Sequence, residues 1–141
     1  MVGLTFDRYE GWIYPYSIEQ YLNAYTALIT KWKDGLDEFN NIINSNEVID
    51  KIKLYAKVAF LHFRADYHQT IYSYYKRNKS NYQSEIKFLL KECLKDVYEL
   101  IDICKNDATI GYEASNHYFY SIRQLKEKII NLTKLDKAFK E

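Results

Sequence analysis

Glu113, Asn116 and His117 bring a carboxylate, an amide and an imidazole into one short span, with Tyr112, Tyr118, Phe119 and Tyr120 on either side. Together they offer acceptors, a mixed donor–acceptor and a group that titrates near neutrality. Polar groups that bond in fixed directions, set among aromatic faces, suit a sugar or another polyol. The same groups suit a loop that must satisfy its own amides and phenols. A third use is acid–base chemistry by His117 and Glu113, which would make the chain a small enzyme. A second stretch, His62 to Tyr67, adds Arg64 and Tyr67 as polar and aromatic neighbours. The ligand-binding candidates are therefore Glu113, Asn116, His117, Tyr118, Tyr120, Arg64 and Tyr67.

Other chemistries find little support. His62 and His68 are six residues apart, about 240° around a helix, so one ion cannot bind both. Paired Glu-x-x-His motifs of the di-metal bundles are missing. No metal site and no cofactor are expected. His62 and Asp66 stand at i,i+4, a spacing that lets a carboxylate orient an imidazole and that also makes an ordinary surface pair. There is no glycine-rich phosphate loop and no nucleophile in a familiar setting, so no catalytic residue is assigned. Cys93 and Cys104 would lie about 16 Å apart on one helix, too far to bridge. Reduced thiols fit a cytoplasmic location.

One proline and four glycines leave room for long helices. Residues 1–16 hold Gly3, Gly11, Pro15 and five aromatics without a helical period, and read as an extended arm or linker. Ser17 with Gln20 forms a capping-box pair that opens a helix. Tyr21, Tyr25, Leu28, Trp32, Gly35, Phe39 and Ile42 follow at spacings of four and three, the seam of a bundle helix. Gly35 on that seam predicts room for a bulky partner side chain, or a local break. A second helix is predicted over 47–77, with Ile49, Ile52, Ala56, Ala59, Phe60, Phe63, Tyr67, Ile71 and Tyr74 on its stripe. A third is predicted over 82–105, through Ile86, Leu89, Leu90, Cys93, Val97, Leu100, Ile101 and Cys104. Residues 108–120 lack a period. Ser121 with Gln124 repeats the capping box and opens a last helix.

Short turns make consecutive helices antiparallel neighbours. The expectation is an all-α fold, a four-helix up-and-down bundle in one domain over 17–141. It has an extended aromatic N-terminal arm and a long loop before the last helix. Fifteen tyrosines against seven phenylalanines mean that many buried rings carry a hydroxyl in need of a partner. A net charge of +1 with interspersed signs gives no basic patch for phosphates, so no nucleic acid is expected. No apolar run approaches the roughly twenty residues that span a bilayer, and no membrane partner is expected.

The strings Trp32–Leu36, Leu61–Tyr67 and Ile110–Tyr120 resemble the C-terminal helical region of large bacterial glycoside-hydrolase-like proteins, where a bundle follows a catalytic barrel. The similarity spans about 10–135. It implies a non-catalytic accessory module whose partner is carbohydrate or a companion catalytic domain, with the aromatic arm as the former junction. A structural homodimer that packs its arm on a sister chain is the remaining alternative.

Overall fold

The computed structural model describes residues 9–42, 46–77, 81–107, 110, 112–113, 118–119 and 121–138. Those residues form an all-α fold, as the periodicity predicts. Its helices are α1 (Tyr9–Ile13), α2 (Ile18–Asn40), α3 (Glu47–Arg77), α4 (Gln83–Asn106) and α5 (Ile122–Ala138). The chain divides into two compact units, 1–79 and 80–141. The division falls beyond the end of α3, and α1 lies in the same unit as α2 and α3.

In the first unit, α2 and α3 are antiparallel. Lys53 lies over the Phe39 ring, Trp32 meets Ala56 and Phe63, and Glu10 reaches Arg77. From Phe39 to Trp32 on α2 the partners on α3 run from Lys53 to Phe63, so residue numbers fall on one helix as they rise on the other. Both starts are capped. The Ser17 hydroxyl accepts from the Gln20 amide at 3.2 Å, and the Gln20 side chain accepts from the Ser17 amide at 2.9 Å. The Asn46 side chain accepts from the amides of Val48 and Ile49, each at 3.0 Å. These bonds satisfy donors that the first helical turn leaves open.

The buried face of α2 departs from the predicted seam. Leu36 is buried and Ile29 half-buried, while Leu28 and Gly35 are exposed. Ile18, Leu22, Tyr25, Ile29, Trp32, Leu36 and Phe39 are all covered at spacings of four and three, so the seam keeps Tyr25, Trp32 and Phe39 and takes the residues on their other side. A Cβ on Gly35 would meet nothing within 4 Å, and the helix runs through it unbroken. Neither the bulky partner nor the break is present. On α3, Ile52 is 48 % exposed, whereas Leu61, His68 and Thr70, off the expected stripe, are buried. Burial of Thr70 is tolerable because its hydroxyl donates to the Asp66 carbonyl at 3.0 Å.

The described part of the arm, 9–16, is the single helical turn α1 followed by a tight turn in which the Tyr16 amide donates to the Ile13 carbonyl at 2.9 Å, and not extended chain. Ile13 is buried, α1 packs on α2 and α3, and Arg77 holds the Glu10 carboxylate with both guanidinium nitrogens. Enclosing an apolar residue and pairing a charge fix a segment that has no helical period of its own.

In the second unit α4 packs along α5. Of the predicted α4 stripe, Ile86, Leu89, Leu90, Val97, Ile101 and Cys104 are buried, with Leu125 from α5, while Cys93 and Leu100 are half-buried and Asp96, off the stripe, is buried as well. Helix α4 is roughly 36 Å long, and the links on either side of the antiparallel pair 112–113 and 118–119, residues 107–111 and 120–121, reach only about 25 Å. The two helices are therefore antiparallel.

Candidate functional site

The connection between α4 and α5 is neither helix nor plain loop. Helix α4 ends at Asn106, where the Asp107 amide still donates to the Ile103 carbonyl at 3.0 Å. The Ile110 amide then bonds the Asp107 carbonyl at 3.3 Å, and Ile110 is only 4 % exposed. Two short strands follow, β1 (Tyr112–Glu113) and β2 (Tyr118–Phe119). They pair antiparallel, Tyr112 opposite Phe119 and Glu113 opposite Tyr118. At the far end the Ser121 hydroxyl accepts from the Gln124 amide at 3.2 Å, and the Gln124 side chain accepts from the Ser121 amide at 3.1 Å. That second capping box opens α5 as predicted. The connection is anchored at both ends and closed in the middle by backbone pairing.

Of the candidate residues, Glu113 and Tyr118 are brought opposite each other by that pairing. Asn116, His117 and Tyr120 lie outside the described residues. Arg64 and Tyr67 belong to the first unit, one turn apart on α3. The Arg64 guanidinium sits 5.6 Å from the centre of the Phe60 ring, and Lys57 is on that ring too, at 5.7 Å. Tyr67 lies 5.8 Å from the His68 ring, tilted by 54°.

The first unit also holds a polar–aromatic cluster that the sequence pattern did not single out. Tyr21 and Tyr25 stack at 4.8 Å on α2. Burial, chiefly, holds the Tyr25 phenol well above its usual range, helped by its hydrogen bond to Tyr21, by the Tyr21 charge and by the Asp66 carboxylate. Tyr25 therefore stays a neutral donor at any physiological pH. His62 Nε2 is 3.9 Å from Asp66 Oδ2, close enough for charge attraction when the imidazole is protonated and too long for a hydrogen bond. Nearby, the Trp32 indole donates to the Ala56 carbonyl at 2.9 Å and meets Phe63 edge-on at 5.0 Å. The available signal was the i,i+4 tyrosine pair on α2; nothing local says that α3 would bring a carboxylate to it.

Among the described residues, no group of three or more His, Cys, Asp or Glu side chains is placed to hold a metal ion. Nor is any helix among them long and apolar enough to cross a membrane. No protein family, curated protein or solved structure matches the chain.

Proposed function

We propose that this chain is a non-catalytic helical binding module whose ligand contacts come from the hairpin between α4 and α5. The observation that carries this reading is the antiparallel pairing of Tyr112 with Phe119 and Glu113 with Tyr118. A link that only had to reverse the chain could be far shorter. Pairing 112–113 with 118–119 orders part of the surplus as a stem, and an ordered stem loses less entropy on binding.

The ligand class that suits Glu113, Asn116 and His117 among tyrosines is a polyol, with carbohydrate foremost. The resemblance to helical regions of glycoside-hydrolase-like proteins points the same way, and makes a companion catalytic domain the second partner of interest. Isothermal titration against a panel of mono- and oligosaccharides tests the reading. Asn116→Ala and His117→Ala should each weaken binding by about tenfold or more, the cost of one or two lost hydrogen bonds. Absence of binding to every sugar, with both variants only lowering the melting temperature, would overturn it.

A further inference from the structure

The outer face of α5 carries a row of cations with one aliphatic residue at its centre. Arg123, Lys126, Ile130, Lys134 and Lys137 are all exposed. At about 100° per residue they share an arc of roughly 80°, and the row runs roughly 21 Å along the axis. Arg123 pairs with Glu127 at the edge of the row, at 3.2 Å. Lys126, Lys134 and Lys137 enter no hydrogen bond or ion pair among the described residues. Ile130 is 53 % exposed. Lys134 and Lys137 repel each other across one turn, and an exposed isoleucine adds nothing to the core. Apart from the Arg123–Glu127 pair and the favourable place of Lys137 in the last turn, the face makes no charge contact within the described fold.

We propose that this face of α5 rests on an anionic lipid surface, its lysines among the headgroups and Ile130 at the acyl boundary. A helix lying on a plane touches it along one narrow straight row, which is the shape of this patch. Lysine stems can lie along apolar surface while the ammonium groups stay with phosphate or carboxylate. A nucleic-acid backbone would accept the charges but offers Ile130 nothing apolar, and its phosphates follow a curved path. Contact at a membrane surface departs from the sequence-based expectation of no membrane partner, which rested on the lack of an apolar run long enough to span. The inference is independent of the hairpin ligand.

Co-sedimentation with vesicles of phosphatidylcholine containing about a third phosphatidylserine tests it. The protein should partition onto these vesicles at low ionic strength, not onto pure phosphatidylcholine, and should release as salt approaches about 0.5 M. The triple variant K126E/K134E/K137E should lose partitioning about a hundredfold or more. Ile130→Ser, which leaves every charge in place, should lower vesicle binding several-fold without altering binding to a DNA duplex. Circular dichroism of each variant, matched to the wild type, keeps a folding defect separate. Failure of the wild type to bind the mixed vesicles would overturn the proposal. So would equal binding by the folded triple variant, or tighter binding to duplex DNA than to vesicles in the same buffer.

Discussion

Tyr25 stands where several effects act on one phenol in the same direction. Burial, the stacked Tyr21 hydroxyl and the Asp66 carboxylate all favour its protonated form, and burial alone does the same for Tyr72. The unfolded phenols ionise near pH 10, while the folded ones hold their protons to higher pH. Their contribution to stability is thus complete below about pH 10 and is lost as pH rises beyond it. Urea unfolding from pH 8 to 11 should show stability falling above about pH 10, with a shallower fall in Tyr25→Phe. At Trp32, replacement by Phe keeps most of the ring and removes the indole bond to Ala56. The expected loss is about 1 kcal/mol, read from the urea midpoint. Sequence pattern placed Trp32 on the contact line of its helix. It could not say that the indole N–H would find a carbonyl on α3, because that depends on how two helices are set against each other.

The starts of α2 and α5 were legible residue by residue, since a capping box is a local bond between residues three apart. Ser17→Ala and Ser121→Ala should each cost about 1 kcal/mol. Faster amide exchange in the first turn of the affected helix alone would check this. Gly35 is the opposite case. Its place in a heptad count made it a seam residue, yet the backbone there is helical and the surrounding space open. Gly35→Ala should therefore stabilise the protein by about 0.5–1 kcal/mol, through helix propensity and a less flexible unfolded chain. A raised melting temperature is the readout, and a lowered one would restore the close-packing interpretation. The hairpin stem in 112–119 had no period to betray it, because two-residue strands are too short to alternate.

Across the whole molecule, the burial pattern separates positions that look alike in sequence. Ile52 and Ile86 are both apolar residues in the first two turns of long helices. Ile86 is completely enclosed, while Ile52 is about half exposed. Ile86→Ala should cost about 2–5 kcal/mol from lost burial and an unfilled cavity. Ile52→Ala should change stability by less than about 1 kcal/mol, and equilibrium unfolding of both variants checks the contrast. The Glu10–Arg77 pair ties α1 to the end of α3 across most of the first unit. Both side chains are nearly half exposed, so its energetic share is small and Ile13 does more to hold the segment.

By itself the sequence determined the all-α class, the two capping boxes, the extent of α3 and most of the core stripe of α4. Each depends on bonds or periodicities confined to one helix. Only the tertiary structure decided that α1 would coil against its neighbours, that Leu36 and not Gly35 would be buried, that Tyr25 would lie in the field of Asp66, and that the chain would divide after α3. These outcomes depend on burial and on charges from distant segments. Neither is encoded in the spacing of neighbouring residues.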